Sequence, residues 1–155
     1  MGSDSLFFII IAICLIMSAY FSATETAFLS LNRIRMKNMA DKGNKRAALV
    51  LELEEKYDNL LSTILIGNNI VNLSASSIST SLAIHLFGNT GAGIATGILT
   101  FLILIFGEVT PKTMATIKAD SMSLTVAAPI GLLMKILTPV IFIINKLSLG
   151  LMFLL

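Results

Sequence analysis

The feature that most constrains this chain is the length of two stretches without a charged side chain. The first covers residues 5–24 and the second covers residues 59–107, where His85 is the only ionisable side chain. A hydrocarbon core about 30 Å thick is crossed by roughly 20 apolar residues in an α-helix. Charged residues make up only 13% of the chain, about half the share found in soluble domains. We therefore predict an all-α membrane protein.

Breaks in the apolar pattern predict three transmembrane helices within a single domain, residues 1–155. The spans cover about residues 6–29, 58–86 and 92–117, and the turn-forming residues 87–91 (FGNTG) connect the second span to the third. The N-terminus and the turn at residues 87–91 then lie on the same side of the membrane.

A polar connection of different character joins the first two spans. It is predicted to form two short helices, at about residues 33–40 and 45–57, with a break at residues 41–44 (DKGN). It carries seven of the eleven basic residues: Arg33, Arg35, Lys37, Lys42, Lys45, Arg46 and Lys56. Because cytoplasmic loops carry an excess of Lys and Arg, we expect the connection (33–57) to be cytoplasmic and the N-terminus to lie outside a cell membrane.

The last region, residues 121–155, is apolar but interrupted. Two lysines and two prolines divide it (Lys135, Lys146, Pro129 and Pro139). The uncharged pieces, 121–134 and 136–145, are shorter than a span and favour re-entrant or interfacial helices. A fourth, bent span that carries one of the lysines is the alternative.

Three polar clusters interrupt the predicted spans, at residues 21–27 (FSATETA), 67–72 (GNNIVN) and 106–112 (FGEVTPK). Isolated hydroxyls in such helices are usually explained by bonds to their own helix or by close packing. The Asn68–Asn72 pair and Glu108 need stronger compensation and are therefore functional candidates. In the predicted topology all three clusters lie in the cytoplasmic half of the membrane, at a similar depth. We expect them to form one pocket.

The third cluster predicts a cation site at a broken helix. Pro111 has no N–H group, so the carbonyl of Gly107 loses its helical partner beside the Glu108 carboxylate. A freed carbonyl next to a carboxylate is typical of hard-cation sites, although a simple proline kink is the alternative. The converging atoms are all oxygen, which favours Mg²⁺, Ca²⁺ or Na⁺ without choosing among them. His85 lies roughly 25 Å along the helix from Asn68, which argues against a hydrolase.

Taken in order, residues 21–27, 65–72 (LIGNNIVN) and 106–112, with the basic helix pair at 33–57, resemble the transmembrane domain of the CorC/cyclin M family of magnesium transporters. The resemblance covers nearly the whole chain. It implies a homodimer with three spans and juxtamembrane helices at the cytoplasmic surface. It also implies export of Mg²⁺ in exchange for Na⁺, rather than an enzyme or a nucleic-acid-binding protein.

The resemblance further implies which residues hold the transported Mg²⁺. Five are expected at the ion: Ser22, Asn68, Asn72, Gly107 and Glu108. Four more are expected around it or at a site for the coupling ion: Glu25, Thr26, Asn69 and Pro111. Members of the family usually continue into cytosolic nucleotide-sensing domains, which this chain lacks, so we expect it to be the membrane part of a longer protein.

A different class of function is consistent with the same pattern. The chain could be a dimeric membrane anchor that positions a cytosolic sensor and transports nothing. The polar clusters would then serve helix packing, because small and polar residues bring membrane helices together. Specific binding of Mg²⁺ separates the two hypotheses.

Overall fold

The computed structural model describes residues 3–152, and almost all of them are helical. Along the chain the elements are α1 (Ser3–Ser30), α2 (Arg33–Asp41), α3 (Lys45–Glu55), α4 (Tyr57–Phe87), α5 (Asn89–Leu102), a π-helical segment (Ile103–Val109), α6 (Thr110–Ile117) and α7 (Ala119–Met152). The described residues contain no strand. The predicted all-α class is confirmed.

The three predicted spans correspond to α1, to α4, and to the run formed by α5, the π segment and α6. All three are long and apolar enough to cross a membrane. The expected five-residue link between the second and third spans is shorter than predicted, because α4 ends at Phe87 and α5 begins at Asn89. Gly88 reverses the chain with a φ of +73°, a left-handed conformation that glycine adopts without steric cost.

The C-terminal region differs from the prediction of two short helices. Residues 119–152 form one continuous helix, α7, with Pro129 and Pro139 inside it, and it is a fourth helix long and apolar enough to span a membrane. Proline removes one backbone bond, and packing against neighbouring helices preserves the helix across that gap. Helix α7 packs on α1, α3 and α4. Residues 153–155 of the predicted region lie outside the described residues.

The connection between the first two spans forms the predicted helix pair. The Asn32 side chain accepts a hydrogen bond from the Arg35 N–H at the start of α2, and Asn44 caps α3 in the same way. The Asp120 carboxylate accepts hydrogen bonds from the Asn32 N–H (2.8 Å) and from the Arg35 guanidinium (3.2 Å). Asp120 therefore ties the start of α7 to the start of the connection.

Two kinds of packing hold the helices together. The larger apolar core lies where the connection meets α1, α4 and α7, and its members are Phe21, Phe28, Met36, Ala47, Val50, Leu53, Leu60, Ile64, Val126, Ala127, Ile130, Met134 and Ile141. A smaller contact joins α1 to α6 through Ala23, Ala27 and Ala115. Alanines at this contact let two apolar helices approach closely, as is common in membrane bundles.

Gly67 provides a test of this packing. It faces Phe21, which is buried, and a methyl group on Gly67 would overlap the Phe21 ring. We expect Gly67→Ala to lower the free energy of unfolding by about 1–3 kcal/mol, since overpacking forces neighbouring side chains and backbone to shift. Thermal unfolding of the detergent-solubilised protein, followed by circular dichroism, measures the effect.

Gly97→Ala in α5 is the matched control. A methyl group on Gly97 meets nothing within 4 Å, and alanine favours the helix. Its unfolding midpoint should equal or exceed that of the parent protein. Equal midpoints for the two variants would contradict the packing described for Gly67.

Candidate functional site

Helices α1 and α4 and the π segment meet at Ser18, near the middle of the bundle. The Ser18 hydroxyl donates a hydrogen bond to Oδ1 of Asn68 on α4, at 3.3 Å. Gly107 lies against the same serine, and a Cβ atom at Gly107 would be 2.8 Å from Ser18 Oγ. Ser18 is only 1% exposed. Two of the predicted ion ligands, Asn68 and Gly107, are therefore brought together through a residue absent from the predicted set.

Two further predicted ligands place unpaired oxygen atoms beside this contact. Asn72 lies one turn beyond Asn68, and its Nδ2 donates to Asn68 Oδ1 at 3.5 Å. The remaining amide oxygen of Asn72 and the hydroxyl of Ser22, one turn along α1 from Ser18, are buried without a hydrogen-bond partner among residues 3–152. Buried polar atoms are nearly always paired, so each of these two oxygens keeps the capacity to bind a further partner.

The π segment replaces the predicted break in the third span. The Thr110 N–H donates to the carbonyl of Ile105, five residues earlier. In an α-helix the acceptor would be the carbonyl four residues earlier. The chain thus stays helical past Pro111, which sits in the first turn of α6, where a missing N–H costs little. Single π-helical turns occur often at functional sites, and this one contains Gly107 and Glu108.

Glu108 supplies the negative charge closest in sequence to this contact. Its side chain is half-buried in the π segment, directly after Gly107. Within the described chain no lysine or arginine nitrogen lies within 4.0 Å of its carboxylate. A carboxylate in a membrane span needs a compensating charge, and a bound cation would provide it.

A second carboxylate, Glu25, is neutralised within the bundle. Lys112 Nζ on α6 lies 3.4 Å from its Oε2, about two turns along α1 from Ser18. Sequence reasoning weighed Glu25 as an ion ligand and gave Lys112 no role. The signal that could have found this pair is that each is a charge inside a predicted span, where an unpaired charge is costly.

The remaining predicted residues lie around the cluster at different distances from it. Thr26 and Pro111 are half-buried, whereas Asn69 is exposed on the outer side of α4 and does not join the cluster. The sequence places Ser18, Ser22 and Thr26 at four-residue spacing on one face of the first span, but the predicted ligand set includes only Ser22 and Thr26 from this face.

The chemistry of the site is that of uncharged oxygen donors with one free carboxylate. No group of three or more His, Cys, Asp or Glu side chains that could hold a metal occurs in the described part of the chain. The oxygens shown near Ser18 belong to hydroxyl and amide groups, which suit hard cations.

Comparison with known proteins assigns the chain to a family. The profile of the family described as "Cyclin M transmembrane N-terminal domain" matches residues 9–155. A UPF0053 protein of Haemophilus influenzae is 46% identical over 96% of this chain and 35% of its own length. The UPF0053 inner membrane protein YfjD of Escherichia coli is 40% identical over 84% of this chain and 31% of its own length. The chain thus spans about a third of the length of these curated relatives.

The Glu25–Lys112 ion pair predicts an energetic coupling between α1 and α6. We expect Glu25→Gln and Lys112→Gln each to lower stability, and the double variant to lose less than the sum of the two. The coupling should be about 0.5–1 kcal/mol because both side chains are partly exposed. Thermal unfolding of the four proteins completes the cycle.

Lys118→Gln is the control for this cycle. Lys118 follows α6 directly and is exposed, with no carboxylate within 4.0 Å in the described part of the chain. Its effect should simply add to that of Glu25→Gln. Strict additivity in the Lys112 cycle would show that the ion pair contributes no stability.

Proposed function

Because the chain belongs to the cyclin M transmembrane domain family, we propose that it is the membrane part of a transporter that carries Mg²⁺ across the bilayer. One observation of this chain supports the proposal most directly. Ser22 Oγ and Asn72 Oδ1 are buried oxygens without a partner in the described residues, beside the contact of Ser18 with Asn68 and Gly107. Buried oxygens with unused lone pairs suit a positively charged ligand, such as a metal cation.

Each member of the site has a chemical role in this proposal. Ser22, Asn68 and Asn72 provide neutral oxygens, Gly107 provides its backbone carbonyl and Glu108 provides negative charge. Mg²⁺ usually keeps several of its water molecules and needs few protein ligands, so a site with one free carboxylate is sufficient. A weakly charged site also releases its cargo, which a transporter requires.

Exchange with Na⁺ and export from the cytoplasm are further parts of the proposal. The positive-inside rule places the connection and the α6–α7 junction in the cytoplasm, with the N-terminus outside. Glu25 and Lys112 then lie between the cytoplasmic ends of their helices and the ion site. A cation that binds Glu25 has to displace the Lys112 ammonium, which makes Glu25 a candidate for the coupling ion.

We also propose that the protein is a homodimer. The outer side of α4 exposes Asn69, Ser77 and Ser81 within a helix long enough to span the membrane. An amide that faces lipid is costly, whereas polar and small residues commonly form contacts between membrane helices. A second copy of the chain would cover this face, and the remainder of a longer chain would supply cytosolic domains.

The alternative is a dimeric anchor without transport. It explains the small residues of α4, but it gives no reason for buried oxygens that lack partners. An enzyme has less support, because His85 is exposed near the far end of α4, 17 residues beyond Asn68. Titration of the purified domain with Mg²⁺ separates transporter from anchor, since only the transporter needs a specific site.

Asn72 on α4 and Glu108 in the π segment provide the sharpest test of the ion site. Asn72→Ala removes a buried, unpaired oxygen, and we expect it to reduce Mg²⁺ flux into proteoliposomes by about tenfold or more, equivalent to about 1.4 kcal/mol. Glu108→Gln removes the free charge and should reduce flux at least as strongly. Flux is followed with a Mg²⁺-sensitive dye, with and without a Na⁺ gradient.

Asn69→Ala is the matched control, the same substitution three residues away on the same helix. Because Asn69 is exposed on the outer side, its removal should leave Mg²⁺ binding by a monomeric detergent-solubilised protein unchanged. Unaltered flux in both Asn72→Ala and Glu108→Gln would overturn the site assignment.

The dimer is tested by cross-linking at the exposed face of α4. We expect Asn69→Cys, in a Cys14→Ala background, to form a disulfide-linked dimer on mild oxidation in membranes. Leu132→Cys, which is exposed on α7, serves as the control and should cross-link less. Equal cross-linking at both positions would mean random collision instead of a defined interface.

A further inference from the structure

A groove of about 690 Å³ lies apart from the ion site, between the end of α3, the start of α4 and the second half of α7. Its floor is apolar, with Leu53, Ile141 and Phe142 among the lining residues. Its charged lining residues are three lysines and one glutamate: Lys56, Lys135, Lys146 and Glu52. The groove thus combines an apolar floor with an excess of positive charge.

The glutamate of the groove already forms an ion pair with one of the lysines. Lys56 Nζ donates to Glu52 Oε1 at 3.0 Å, and this hydrogen bond is the main reason why the pKa of Glu52 is lowered. The Lys56 charge and, more weakly, the Lys135 charge lower the Glu52 pKa further, which places Lys135 close to the pair. The groove therefore retains positive charge after its internal ion pair is formed.

The other two lysines have no anionic partner in the part of the chain that the structure describes. Neither Lys135 nor Lys146 has a carboxylate within 4.0 Å among the described residues. They are eleven residues apart on α7, about three turns, so they lie on the same face of that helix. Lys146 Nζ lies 5.1 Å from the centre of the Phe142 ring, a cation–π distance that holds the ammonium over the groove wall.

The contacts of α7 place the groove at the junction between the connection and the second helix that is long enough to span a membrane. Helix α7 starts beside the connection, through Asp120 and Arg35, and continues past Leu53, which lies near Gly131. The groove follows at the point where α3 ends and α4, the second span, begins. If the connection lies at the membrane surface, as its basic residues predict, lipid phosphates meet the groove's lysines there, and the aliphatic stems of such lysines lie on apolar surface.

We propose that this groove is a binding site for an anionic phospholipid. Lys135, beside the Glu52–Lys56 pair, draws the negative headgroup, and Lys146 adds positive charge about 16 Å farther along the groove. An acyl chain lies on the apolar floor between α7 and the start of α4. Charge complementarity selects this occupant, because a bilayer offers anions attached to apolar chains at this depth. The proposal does not depend on the transported ion.

The test compares two lipids and two pairs of lysines. Addition of phosphatidylglycerol to the detergent-solubilised protein should raise the unfolding midpoint by about 3 °C or more relative to phosphatidylcholine, because a ligand of the folded state stabilises it. The double variant Lys135→Gln/Lys146→Gln should lose this difference. Lys37→Gln/Lys45→Gln, which removes the same charge from the exposed connection, should keep it.

The double variant Lys135→Arg/Lys146→Arg is the control for misfolding, because it changes the same two positions and keeps their positive charge. It should keep the phosphatidylglycerol effect. Equal loss in both glutamine pairs would reduce the effect to general surface charge and overturn the proposal. The same shift with inorganic phosphate alone would assign the groove to a free anion. The midpoint shift could also occur with this chain alone and be absent from a longer protein that contains it. That result would assign the groove to the additional segment of the longer protein.

Discussion

The rest of the structure depends on the close approach of α1 to its two neighbouring spans. Gly67 on α4 accepts the Phe21 ring, and Gly107 on the π segment accepts Ser18, in both cases because no side chain stands between the helices. Inside a membrane the hydrophobic effect does little to drive helices together, so contact at this distance and the hydrogen bonds that it permits are the main attraction. The Ser18–Asn68 hydrogen bond is one of these.

The same approach that packs the helices also creates the proposed site. Once α1 and α4 are this close, the hydroxyl of Ser22 and the amide oxygen of Asn72 are buried, and neither oxygen has a partner in the described residues. Purely structural polar contacts would be expected to end in satisfied pairs, as Thr63 does with the carbonyl of Asn59. This difference in hydrogen bonding is the reason why the proposed site includes Ser22 and Asn72 and leaves out Thr63.

The sequence predicted the helices and their boundaries better than the contacts between them. Charge-free runs and capping residues located the three spans and the connection helices within a few residues, because those signals are local. The continuity of α7 and the π turn were missed, since a proline specifies a lost N–H but not how the surrounding structure compensates for it. Ser18 and Lys112 gain their importance from partners 50 and 87 residues away, and no local pattern contains that pairing.

Helix α7 connects the two halves of the molecule that carry different chemistry. Its buried face completes the core formed by α1, α4 and the connection, while Lys135 and Lys146 face outward beside the start of the second span. A lipid held there would contact α4 at Asn59, about two and a half turns before Asn68 and three and a half turns before Asn72. Because a helix moves largely as a rigid unit over that length, the position of the start of α4 at the interface is coupled mechanically to the distance between Asn68 and Ser18. The composition of the bilayer and the geometry of the ion site then share one element, and α4 is the part of the fold through which either could influence the other.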